Sequence, residues 1–341
     1  MEENNVRENI VLFDSTYDET IDFIDGLNNS TGRKWRAIVC TSNQGRQGAA
    51  NVMRYIKYFL FPLLIFLKRS RYDSIIGWQE FYGLLFAFYS RLFRVEKRNQ
   101  LIIKNFIYKP KKGLIGKVYY RFMKFIVDSG YVDTYICASR TMVDYCCEAF
   151  GADREKFVYI PFGVRDCASE VDTSRASAND YVLSLGRSNR DWDFLIESFR
   201  SIPYPLKIVC DELKKDDVPQ NVEIINDTWG KAAKECIYHS RCMVIPIADG
   251  RIASGDTVLL QAMSLSKPII ITRPSCLADD YVKDGHNGII VDKVCDQLSD
   301  AVRAVFEDEQ LYRTLAQNGR MDYLKNHTLY AYGCAVGQIV K

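Results

Sequence analysis

Histidine is nearly absent from this chain: three occur in 341 residues, and none lies in the first 238. That part of the sequence offers no imidazole, so histidine base catalysis from it is excluded. No C-x-x-C pair occurs among the eleven cysteines. Their number is odd, and most sit in apolar stretches such as Tyr135-Ile136-Cys137-Ala138 and Lys207-Ile208-Val209-Cys210. These read as reduced core thiols, not as a disulfide framework. No His/Cys cluster has metal-ligand spacing, so neither a metal nor another cofactor is expected. The apolar run Tyr58–Leu67 holds only ten residues between Lys57 and Lys68, too few to cross a bilayer, and Pro62 is expected to kink or start a helix there. Met1–Glu8 is polar and resembles no leader peptide, which together with the thiols predicts a cytosolic protein. No solenoid-length repeat or low-complexity tract is present.

What is there belongs to a folded chain. Hydrophobic residues make up 48% and charged residues 26%, a balance unlike that of a disordered or polytopic membrane chain. The length predicts two domains of roughly 150 residues each, two cores and a site between them. The net charge of +2 conceals a strong asymmetry. From Arg46 to Lys124 there are 17 basic residues against Asp73, Glu80 and Glu96, a local net charge of +14 that leaves −12 for the rest. Such a field attracts phosphate-rich surfaces, whether anionic lipid, lipid diphosphate or nucleic acid.

Short apolar strands alternate with helix-length segments twice. The first series runs through Asn9–Phe13, Trp35–Cys40, Ser74–Gly77, Leu101–Lys104, Tyr135–Ala138 and Phe157–Ile160. Residues 167–180 then turn to Ser, Ala, Asp and Thr without periodicity and read as a linker. The second series runs through Tyr181–Leu185, Leu206–Val209, Val222–Ile225, Met243–Pro246, Pro268–Ile271 and Gly288–Val291. The pattern predicts an α/β protein of two doubly wound parallel sheets. Ligands bind beyond the carboxyl ends of such strands, so two facing sheets would frame a cleft. The predicted division is 1–166, linker 167–180, 181–325 and a closing helix over 326–341 that packs back on the first domain. Gln297–Lys325 has helical apolar spacing.

Two segments carry chemistry. In Ala253-Ser254-Gly255-Asp256-Thr257 a small glycine-containing loop opens a helix, whose free amides and dipole suit a diphosphate. Thr257 and Gln261 stand four residues apart on one face of that helix. The plainer alternative is a cap followed by an ordinary buried helix. In Leu185-Gly186-Arg187-Ser188-Asn189-Arg190 two cations follow a strand. Arg187 and Arg190 either neutralise a leaving diphosphate, as catalytic groups, or are exposed loop charges.

These residues resemble family 4 glycosyltransferases, the group 1 family of GT-B fold. Ala253-Ser254-Gly255, Leu260-Gln261-Ala262-Met263 and Lys267-Pro268 resemble that family's E-x7-E donor segment with S-F-G, L-L-E-A-M and G-K-P. The departures are Ala253 and Gln261 at the two glutamates and Ser266 at the glycine before Lys-Pro. Gln261 keeps hydrogen-bonding capacity without charge, and Ala253 keeps none. Gly186-Arg187 and Arg190 resemble the family's G-R and lysine. Val158–Val164, Cys137–Arg140 and Gly285–Gly288 resemble further family phrases, so the likeness covers roughly residues 70–325.

The resemblance implies two Rossmann-like domains around an interdomain cleft and donor binding by Gly186, Ser254, Gly255, Asp256, Thr257 and Gln261. It places Asn226–Gly230 near the nucleotide base, where Trp229 either stacks on the base or is an ordinary core tryptophan. Trp78, Gln79 and Glu80 follow a strand on the acceptor side, with Glu80 available as a base in an inverting alternative. The expected reaction is transfer of a sugar, with retention, from a nucleotide diphosphate donor of UDP type to a lipid-linked or oligosaccharide acceptor in cell-surface polysaccharide synthesis. The alternative is a non-catalytic subunit that binds a nucleotide sugar or partner enzyme. The basic-aromatic stretches Val52–Tyr72 and Lys109–Ile126 predict a cytoplasmic protein peripheral on the inner face of an anionic membrane, with core helices as the alternative. No nucleic-acid module accompanies the charge, so no nucleic-acid partner is expected.

Overall fold

The computed structural model describes residues 7–16, 20–41, 48–172, 174 and 177–341, with side chains from Met53 onward in the helix that begins at Gly48. Two compact units result.

The first unit comprises Met1–Ile160 and Leu329–Lys341. Its strands are β1 (Glu8–Phe13), β2 (Trp35–Val39), β3 (Tyr72–Gly77), β4 (Gln100–Phe106), β5 (Thr134–Cys137) and β6 (Phe157–Tyr159). They form one parallel sheet in the order β2-β1-β3-β4-β5-β6. The helices are α1 (Ile21–Thr31), α2 (Gly48–Leu67), α3 (Glu80–Leu92), α4 (Gly113–Val127), α5 (Arg140–Phe150) and, from the far end of the chain, α12 (Leu329–Gly337). Strands such as Ile10–Phe13 and Leu101–Ile103 are buried on both faces, which is why they read as continuous apolar runs and not as alternating ones. Pro62 lies inside α2 and does not start it. No described helix is long and apolar enough to cross a membrane.

The second unit, Pro161–Thr328, repeats the design. Its strands β7 (Val182–Leu185), β8 (Leu206–Val209), β9 (Val222–Ile225), β10 (Cys242–Ile245), β11 (Ile269–Arg273) and β12 (Ile289–Asp292) lie parallel in the order β12-β11-β10-β7-β8-β9. Helices α6 (Trp192–Ser198), α7 (Gly230–His239), α8 (Asp256–Ser264), α9 (Cys276–Tyr281), α10 (Cys295–Glu307) and α11 (Glu309–Asn326) cover its two faces with separate cores.

The structure differs from the sequence reading at two places. Residues 161–166, predicted in the first domain, and the described residues of the predicted linker 167–180 belong to the second unit. Cys167 and Val171 are buried in its core, Val164 bridges Thr328, and Arg320 forks onto the Asp166 carboxylate at 2.7 and 2.8 Å. Gln297–Lys325 is two helices, not one, because Asp308 leaves the helical region and its carboxylate caps the Leu311 amide at 2.9 Å. The closing helix α12 packs on α1, where Ser30 Oγ donates to the Cys334 carbonyl at 2.8 Å. All eleven cysteines are free thiols.

Candidate active site

Strand order reverses between β7 and β10 in the second sheet, and a crevice opens beyond the carboxyl ends of strands at such a point. The chain beyond β7 is Gly186 to Asp191, and beyond β10 it is Pro246 to Gly255. The two loops are stitched together. Asn189 Nδ2 donates to the carbonyls of Asp249 (3.0 Å) and Ile252 (3.1 Å), its Oδ1 accepts from the Asp249 amide (2.8 Å), and the Ser188 and Ser254 hydroxyls meet at 2.8 Å. Asn189 adopts φ +58°, a conformation that asparagine tolerates better than most residues. Sequence reasoning passed over Asn189, since its work is to hold backbone and not to carry charge.

Arg190 occupies the centre of this arrangement and is only 9% exposed. Its guanidinium donates to the carbonyls of Ser188 (3.1 Å), Leu185 (3.3 Å) and Ser254 (3.4 Å), while Nε is buried without a partner among the described residues. Gly186 (φ +142°) and Gly255 (φ +109°) flank it; a Cβ on either would come within 2.8 or 2.7 Å of Nη2. Both glycines are thus required by close approach as well as by backbone conformation. Burial pushes the Arg190 pKa down to about 10, partly offset by Asp256, so the group stays cationic at neutral pH. Next to it the first turn of α8 leaves its amides uncapped by any side chain at Gly255, although Asp256 Oδ1 accepts from Thr257 N at 2.8 Å. A buried cation beside a helix N-terminus attracts anionic groups.

The remaining sequence candidates spread around this centre. Arg187 is half-exposed and pairs with Asp211, at the end of β8, at 2.5 Å. Ser254 joins the loop staple, Thr257 is exposed, and Gln261 is half-buried one turn further along α8. Trp229 is 65% exposed at the start of α7. The core-tryptophan alternative is therefore wrong: nothing apolar covers enough of the ring to bury it. Lys267 is buried and donates to Ser177 Oγ (3.1 Å) and Asn179 Oδ1 (2.8 Å), a role in packing and not in the crevice. Asp191-Trp192-Asp193 has a D-x-D spacing. Asp191 caps α6 and pairs with Lys293 at 3.0 Å, while Asp193 pairs with Lys215, so both carboxylates are already engaged by protein groups. No cluster of potential metal ligands occurs among the described residues.

In the first unit the order reverses between β1 and β3, and Trp78, Gln79 and Glu80 follow β3 directly. The amides of Trp78 and Gln79 both reach the Leu12 carbonyl (3.1 and 3.3 Å), tying this turn to β1. Trp78 packs on Phe13 and Phe23 with Lys104 Nζ 3.7 Å from its ring centroid. Gln79 spends both ends of its amide, capping Phe81 N at 2.6 Å and donating to the Tyr58 hydroxyl at 3.3 Å. Burial drives the Glu80 carboxyl up to about 8, against the weak pull of the Ile107 amide, so it is mainly protonated at pH 7. A carboxyl in that state donates a proton or a hydrogen bond before it accepts one.

Residues 180–322, nearly the whole second unit and all of its crevice, match the family model of glycosyl transferases group 1. The second unit is a domain of the glycosyl transferases group 1 type.

No curated protein matches the chain in sequence. Its fold has many solved relatives. HepE of Anabaena, crystallised with UDP and glucose, superposes with a TM-score of 0.63 at 13% identity over 97% of this chain and 99% of that one. Sucrose-phosphate synthase of Thermosynechococcus elongatus gives 0.66 at 14% identity over 98% of each. WaaG, a glycosyltransferase involved in lipopolysaccharide biosynthesis, gives 0.61 at 14% identity over 97% and 99%. At such identities the likeness establishes the GT-B fold of two Rossmann-like units and no more.

Proposed function

We propose that the transferase moves a sugar from a UDP-type nucleotide sugar, with retention, to a lipid-linked or glycan acceptor in cell-surface polysaccharide synthesis. The Arg190 cradle beside the α8 N-terminus carries this reading, because it presents fixed positive potential to a diphosphate. As the C1–oxygen bond to the diphosphate breaks, charge grows on the leaving oxygen, where Arg190 and Arg187 neutralise it. The acceptor oxygen bonds to C1 on the same face, and its proton passes to the leaving phosphate. This route needs no protein base, in keeping with a Glu80 that is mainly protonated at pH 7. The exposed Trp229 offers a stacking face to the base, as bound UDP in HepE makes reasonable.

The protein works at the cytoplasmic face of an anionic membrane in this proposal. Phe59, Leu60, Leu64 and Leu67 of α2 and Leu114, Ile115 and Val118 of α4 are exposed among Lys57, Lys68, Lys111 and Lys117. Apolar side chains flanked by cations suit a headgroup interface.

A panel of UDP-, GDP-, TDP- and CMP-sugars, read by thermal stabilisation and slow donor hydrolysis, tests the reading. One donor should stabilise the wild type, and Arg190→Lys and Arg187→Ala should lower its hydrolysis by about tenfold to a thousandfold. Stabilisation without hydrolysis or transfer under any condition would reduce the protein to a nucleotide-sugar-binding subunit, for which Ala253 and Gln261 supply a motive. No response to any donor would defeat the proposal.

A further inference from the structure

A cavity of about 850 Å³ opens in the first unit between α2, the start of α3 and α4. Its walls are Tyr55 and Phe59 from α2, Phe81 and Leu85 from α3, and Val118 and Phe122 from α4. The volume is that of one small-molecule ligand and not of a membrane patch. The walls are almost wholly apolar, and the charged groups among them are cations. Arg54 lines the cavity with its Nε buried and without a hydrogen-bond partner among the described residues. Lys111 lines it too, its ammonium 4.6 Å from the Tyr119 ring centroid. No carboxylate lines it, and Glu80, next to it in sequence through Gln79 and Phe81, is mainly neutral at pH 7.

We infer that this groove binds the hydrocarbon chain of a single lipid phosphate, with Arg54 and Lys111 meeting the phosphate. An apolar slot with two cations and no anion complements a molecule that is hydrocarbon over most of its length and anionic at one end. The surrounding segment, at +14, complements the same charge. A phosphate oxygen is an acceptor for the Arg54 Nε, which has no hydrogen-bond partner among the described residues. That this lipid is the acceptor of the transfer rests on the function proposed above; that the groove binds it does not.

Farnesyl phosphate below its aggregation concentration is the probe, titrated calorimetrically into the full chain. Inorganic phosphate and zwitterionic or anionic phospholipid vesicles serve as comparisons. Saturable one-to-one binding of farnesyl phosphate is expected, with much weaker binding of inorganic phosphate. Val118→Asp, Leu114→Asp and the Arg54→Ala/Lys111→Ala pair should each weaken it by about tenfold or more. Val118 and Leu114 are exposed, and melting curves verify that the variants fold. Absence of saturable binding, equal binding by the variants, equal binding of inorganic phosphate, or binding to vesicles alone would each overturn the inference. The donor panel on the same protein separates the two failures. Donor binding without chain binding removes the groove only, and chain binding without donor binding removes the transferase reading and the lipid's role as acceptor.

Discussion

Glu80 shows how one buried group ties stability to pH. Its carboxyl titrates near 8 in the folded chain against an ordinary value of 4.5, because burial penalises the charged form. The folded state therefore holds a proton that the unfolded state releases above about 4.5. This contribution is fully present below that pH and is lost as pH rises towards 8. The slope is on the order of 1 kcal/mol per pH unit within the window. Urea unfolding at pH 5, 6, 7 and 8 should show wild-type stability falling relative to Glu80→Gln, whose amide has no proton to lose; parallel curves would show that Glu80 is ionised when folded. At Ser266 the residue-scale lesson concerns backbone. The serine sits at φ +55°, where the family pattern has glycine, so the glycine of that pattern answers to conformation and not to ligand contact. Ser266→Gly should raise stability by about 0.5–1 kcal/mol in thermal unfolding, with donor binding unchanged.

At the scale of elements, sequence and structure agree on every strand named, within about two residues at each end. Continuous apolar runs between helical segments are what strands buried on both faces require, and they made inner strands such as β1, β3, β4 and β10 legible. Helix ends were less so. The apolar spacing of Gln297–Lys325 continues across Asp308, and only the capping contact to the Leu311 amide shows that the chain turns there. In the site, Gly186, Gly255 and the two arginines were legible as a glycine-cation pattern. Their arrangement was not: Arg190 is enclosed by two loops 64 residues apart in sequence, and Arg187 pairs with Asp211 from a third segment. Asn189 left no signal, since hydrogen bonds to main-chain carbonyls select an amide but not a recognisable spacing.

For the molecule as a whole, the chain leaves the first unit at Pro161 and returns to it at Leu329. Helix α12 buries Leu329, Tyr332 and Val336 in the first unit, each worth about 1.5–3 kcal/mol when fully covered. Truncation after Thr328 should lower the melting temperature of the first unit and leave that of the second near its original value, which calorimetry or domain-resolved hydrogen exchange measures. Loss of both transitions together would show that the units unfold as one. The sequence by itself determined the two parallel α/β units, the strand positions and the family of the second unit, because all of these depend on local periodicity and short contiguous motifs. Only the tertiary structure decided that Val164, Cys167 and Val171 belong to the second core, that Trp229 is exposed, that Arg190 is buried between two glycines, and that an apolar groove with two cations opens between α2 and α4. Each of those depends on which distant segments pack together, and burial, desolvation and close approach are properties of that packing and not of any stretch of chain.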